Sequence, residues 1–142
     1  MTAASSNRRP ARPARLSPMW LLYGCDAGLL ITSGLIHLHL WDIAYRHVKT
    51  LDGLFLAQVI LTLLAAFILL LTRHLLVTAG AAALMAGTIT GFVLARAVGI
   101  FGFRLTFIST EAYVVLVVEA VAIVMLGITA RLQLRQRAGG RA

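Results

Sequence analysis

Four long apolar stretches, about Met19 to Leu40, Leu54 to Leu71, Leu75 to Ala95 and Thr110 to Ala130, leave this chain few ways to fold. Each approaches the ~20 residues that an α-helix needs to cross a ~30 Å hydrocarbon core. Water is a poor solvent for such a chain. Of its 142 residues 60% are hydrophobic and 13% are charged, whereas a soluble domain carries about 25% charged residues. A soluble domain of this size would still leave roughly a third of its unfolded surface in contact with solvent. In hydrocarbon every backbone N–H and C=O must be satisfied internally, which α-helices do within each span. The expectation is an all-α integral membrane four-helix bundle running up-down-up-down.

The rest of the chain divides around these spans. Residues 1–18 hold Arg8, Arg9, Arg12 and Arg15 with Pro10, Pro13 and Pro18, a composition with too little apolar area to offset chain entropy, and read as a disordered basic tail. A secretory signal would have a short apolar core and an A-x-A-like cleavage site. The stretch from Met19 to Trp41 is too long and lacks such a site, so it reads as a retained anchor. Residues 19–131 form the transmembrane domain, and 132–142 read as a second basic tail. Only Thr72, Arg73 and His74 separate the second and third spans, which predicts a tight antiparallel hairpin.

Charge sets the orientation. One side has Arg8, Arg9, Arg12, Arg15, Arg73, Arg131, Arg135, Arg137 and Arg141, nine basic residues; the other has Arg46, Lys49, Arg96 and Arg104, four. The positive-inside rule places the nine, and with them both termini, in the cytoplasm. The address is therefore the cell (cytoplasmic) membrane, as a multi-pass protein. Trp41, Tyr45, Phe101, Phe103 and Phe107 mark the outer interface and Trp20 and Tyr23 the inner one, where aromatic rings favour the headgroup level. The net charge of +8 is topogenic, with no nucleic-acid partner implied. The nine inner basic residues make an anionic inner leaflet a partner.

Polar residues inside the spans are the candidates for chemistry. At about 100° per residue, Asp26, Ser33 and His37 share one face of the first helix, while His39 points nearly opposite. Gln58, Thr62, Ala65, Leu69 and Thr72 make a mildly polar face on the second. On the third, Gly80, Ala83, Gly87 and Gly91 make a small-residue stripe that suits close helix packing. On the fourth, Ala112, Val115, Glu119, Ala122, Leu126 and Ala130 share a face, with Glu119 near mid-membrane. The simplest assembly turns the four faces inward and buries Asp26, His37, Gln58 and Glu119. A carboxylate at that depth costs at least ~2.5 kcal/mol. Glu119 is then either a proton-binding or ligand-binding site, or a neutral carboxylic acid that glues two helices by a hydrogen bond.

Other chemistries find no support. Cys25 is the only cysteine, so no disulfide within the chain, CxxC pair or cysteine-based zinc site forms. There is no phosphate-binding Gly loop, H-E-x-x-H or G-x-S-x-G motif, and no catalytic residue, metal ligand set or cofactor is expected. His37 and His74 lie near opposite surfaces, roughly 25 to 30 Å apart at 1.5 Å per residue. Bis-histidine haem ligation would thus require His37 from two copies. Gly24 and Gly28 form a G-x-x-x-G, which suggests helix packing at most.

The run His37-Leu38-His39-Leu40-Trp41, followed by Tyr45-Arg46 and Leu54-Phe55-Leu56, resembles a group of uncharacterised four-span membrane proteins of actinobacteria. The similarity extends to Gly87-Thr88, to Gly99-Ile100-Phe101-Gly102-Phe103 and to Glu119, and covers most of the chain outside the tails. It implies a fold, a membrane address and a short Gly-rich aromatic outer loop, without a reaction. Arg96, at the end of the third span, departs from that pattern.

Three functional readings follow. The leading one is a non-enzymatic accessory or structural subunit of a membrane complex, or a small homo-oligomer. A second is a small proton-coupled transporter or channel centred on Glu119, with Asp26 and His37 on either side. The third is a dimeric haem or redox protein using His37.

Overall fold

The computed structural model describes residues 18–102, 104 and 109–139, Pro18 by its backbone alone. Arg8, Arg9, Pro10, Arg12, Pro13, Arg15, Arg141 and the loop aromatics Phe103 and Phe107 lie outside the described residues. Within them are four helices: α1 Pro18–Leu40, α2 Leu51–Thr72, α3 Leu75–Ala97 and α4 Thr110–Gly139. All four are long and apolar enough to cross a membrane.

α1 begins at Pro18, where a missing N–H costs no helical hydrogen bond and the fixed φ suits a first helical position. Its far end continues into a π-turn, Trp41–Tyr45, in which the Arg46 N–H donates to the Trp41 carbonyl at 2.9 Å. A plain loop was expected from Trp41 to Gly53. Instead, with no Gly or Pro between Trp41 and Asp52 to break it, the chain keeps turning, and α2 starts three residues early. Asp52 in the first turn of α2 complements the helix dipole and accepts a hydrogen bond from the Trp41 indole.

The α2–α3 hairpin is as tight as the spacing predicts. Arg73 takes a left-handed φ of 50° and donates its N–H to Leu69. His74 then caps α3, its Nδ1 accepting from the Leu76 N–H at 3.3 Å. At the other end of α3, Gly99 has φ 82°, a conformation open to glycine that terminates the helix. The Ser109 hydroxyl accepts from the Ala112 N–H at 3.3 Å and caps α4.

α4 runs past the apolar stretch that ends at Ala130. The basic tail expected from residue 132 is helical as far as Gly139, because Leu132, Gln133 and Leu134 are helix-compatible and Gly139 and Gly140 are the first breakers.

α1 packs most extensively on α2, α4 packs on both α3 and α1, and of the neighbouring pairs α2 and α3 touch least. The core is thin: Tyr23, Ala27, Leu30, Ala66, Leu69, Ala81, Met85, Ala122 and Leu126. Gly34 lets α1 and α2 approach closely, since a Cβ there would stand 2.7 Å from the Thr62 hydroxyl. Outward, Ile60, Phe67, Leu71, Val117 and Val124 are each more than 60% exposed, a density of apolar surface that is uncommon on a water-soluble monomer.

A polar seam and cavity as candidate functional site

The polar stripe of α1 meets the polar face of α4 along one seam. Gln133 donates from Nε2 to the Tyr23 hydroxyl at 3.0 Å. The Thr129 hydroxyl donates to the Asp26 carboxyl at 2.6 Å. The Ser33 hydroxyl donates to Glu119 Oε1 at 3.2 Å, and His37 Nε2 lies 3.8 Å from the same oxygen. Numbers rise along α1 as they fall along α4, so three rungs hold the two helices in one register. Asp26, Ser33, Thr129 and Glu119 have no exposed surface.

His37 is oriented by its own helix, its Nδ1 lying 2.9 Å from the Ser33 carbonyl. That bond puts the proton of the neutral ring on Nδ1 and leaves the Nε2 lone pair turned towards Glu119. The ring also lies 5.5 Å from that of Phe55, which stacks on Tyr45 at 4.4 Å. Tyr45 is thus partly buried at the α1–α2 corner.

The two seam carboxyls differ in what lies beside them. Each has one oxygen bonded across the seam and the other, Oδ1 of Asp26 and Oε2 of Glu119, buried without a partner. Glu119, together with His37 and Gln58, lines a cavity of about 430 Å³; Asp26 does not. The amide nitrogen of Gln58 is likewise buried and unpartnered. Most of the remaining wall is apolar, including Phe55, Phe92 and Leu116.

The small-residue stripe of α3, where close helix packing was expected, meets no neighbouring helix among the described residues. Gly80, Ala83 and Gly87 are exposed, and a Cβ at Gly80, Gly87 or Gly91 would meet nothing within 4 Å. The face of α3 that packs inward carries Thr78, Ala81, Met85 and Ala95. The larger Met85 fills the core while Ala83, Gly87 and Gly91 border the cavity, their missing side chains leaving space between α2 and α3. The Gly24 and Gly28 pair is also exposed and open. Among the glycines Gly34 makes the close contact, a role that the sequence reading had not assigned.

Thr129 and Gln133 were missed as partners of the seam. The available signal was a spacing of seven, Asp26 to Ser33 on α1 and Glu119 to Leu126 to Gln133 on α4, which returns to nearly the same face at about 100° per residue, with Thr129 three after Leu126 and four before Gln133. At the opposite end from His37, the Arg73 guanidinium covers the Trp20 ring at 3.5 Å and the Arg73 carbonyl accepts from Gln133 at 3.0 Å. His74, beside it, is occupied as a helix cap. Among the described residues no three His, Cys, Asp or Glu side chains converge as metal ligands would.

Compared with protein-family models, curated proteins and solved structures, the chain matches none.

Proposed function

We propose that this chain is a four-span protein of the cytoplasmic membrane, up-down-up-down with both termini inside, that binds a proton and a small solute at Glu119 as a proton-coupled transporter. The observation that carries this reading is the unpartnered Oε2 of a fully buried Glu119 on the wall of a cavity. Asp26 has an unpartnered oxygen as well, and what sets Glu119 apart is the cavity beside it. An ionisable group inside a membrane span that faces a cavity is by default a functional site.

The exposed apolar belt supports insertion, and the nine-to-four charge imbalance supports the orientation. Arg131, Arg135 and Arg137, all exposed on the last turns of α4, would lie against an anionic inner leaflet, each contributing about 1 kcal/mol near its surface. The test is proton flux in liposomes. Wild-type protein should dissipate an imposed pH gradient, and Glu119→Gln should not while remaining folded. Equal flux from the two would refute the assignment.

A second reading has its own support. The exposed face at Gly80, Ala83 and Gly87 is a surface on which a second copy or another membrane helix could pack closely, as a structural subunit or homo-oligomer would require. Native mass in mild detergent tests it: a Gly80→Leu substitution should convert an oligomer to a monomer.

A further inference from the structure

The cavity beside Glu119 has a composition that selects a class of solute. Its volume of about 430 Å³ lies in the ~300–1,000 Å³ range of pockets that enclose drug-sized molecules. Among the described residues that line it there is one carboxyl and no Lys or Arg. Tyr45, Phe55 and Phe92 supply aromatic rings, whose faces attract cations. The Nε2 lone pair of neutral His37 is an acceptor, and the Glu119 carboxyl, whose Oε2 has no partner, becomes a second one when its proton leaves. Gln58 also lines the cavity, its amide nitrogen buried and without a partner.

An anion would meet an acidic floor, and a neutral hydrocarbon would leave the buried polar atoms unpaired. A cation with an apolar body satisfies both parts of the wall. We propose that this cavity takes a lipophilic organic cation, which displaces the proton from Glu119 when it binds. The exchange balances: the neutral acid and the free cation become an ion pair and a released proton. The groups facing Glu119 do not replace it in this role. Ser33 and His37 of α1 meet its carboxyl directly, while Tyr45 of the π-turn, Gln58 of α2 and Thr88 of α3 share its cavity, and among these Glu119 is the carboxyl.

This inference rests on Glu119 being a proton-binding group. The probe is tetraphenylphosphonium, with tetraphenylborate as an anion of the same shape, added to the full chain in neutral detergent while released protons are recorded in weak buffer. Wild-type protein should bind the cation saturably, release about one proton per cation, and bind about tenfold more tightly per pH unit while Glu119 is still protonated. Glu119→Gln should bind at least about tenfold more weakly, a loss of ~1.4 kcal/mol, and release no proton. A Cβ at Gly87 would meet nothing within 4 Å, so Gly87→Leu should extend into the cavity and abolish cation binding while Glu119 still titrates.

Equal binding of the borate, or unchanged cation affinity in Glu119→Gln, would overturn the proposal. So would the absence of saturable cation binding by wild-type protein. If Glu119 nonetheless exchanges protons, the failure is confined to the solute class. If it does not, the transport reading fails as well.

Discussion

Two buried carboxyls on one seam have unequal surroundings, and that inequality separates their roles. Asp26 is held by Thr129 at 2.6 Å away from the cavity. Thr129→Val should therefore leave its carboxyl without the seam hydrogen bond and lower thermal stability in detergent by about 1 kcal/mol. Thr90→Val, which breaks an exposed bond to its own helix backbone, should change it little. At Glu119 the outcome differs. Glu119→Gln keeps an oxygen to accept from Ser33, so stability should hold; Glu119→Leu loses the bond, at an average of only ~0.6 kcal/mol for a transmembrane hydrogen bond. A drop of several kcal/mol in Glu119→Gln would mark the carboxyl as structural. The stripe of Asp26, Ser33 and His37 and the inward face of Glu119 were legible in the sequence, because helical periodicity fixes faces. Their partners were not, because which two faces meet depends on the crossing of α1 and α4.

The elements show the same division. Span positions followed from hydropathy alone, and the α2–α3 hairpin followed from three intervening residues. The inward face of α3 could not be read from its glycines, since a small-residue stripe suits a close helix contact or an open gap equally well. Here Met85 and Ala81 occupy the core, and the stripe borders the gap. The contact that needs a glycine is Gly34 against Thr62, at 2.7 Å from a would-be Cβ. Thr62 is pinned there, its hydroxyl donating to the carbonyls of Gln58 and Val59. Gly34→Ala should force α1 and α2 apart and cost about 1–3 kcal/mol, the usual penalty of overpacking. Gly28→Ala, in open space, should be neutral or slightly stabilising through its helix propensity. Thermal unfolding of both variants in one detergent checks the pair; equal stability would mean that the two helices do not cross so closely.

At the scale of the whole molecule, the basic residues predict which side of a membrane each loop occupies. Reporter domains fused after Ala142 or inserted between Arg73 and His74 should read as cytoplasmic, and those near Lys49 and Gly102 as external. A cytoplasmic signal at Lys49 would invert the orientation drawn from the basic residues. The central claim is narrower, namely that Glu119 takes up and releases a proton inside the bilayer. Infrared difference spectra recorded between low and high pH on protein reconstituted in lipid test it most directly. Wild-type protein should show the carbonyl band of a protonated carboxylic acid that disappears at high pH, and Glu119→Gln should lack that band. Superimposable difference spectra from the two proteins would contradict the claim.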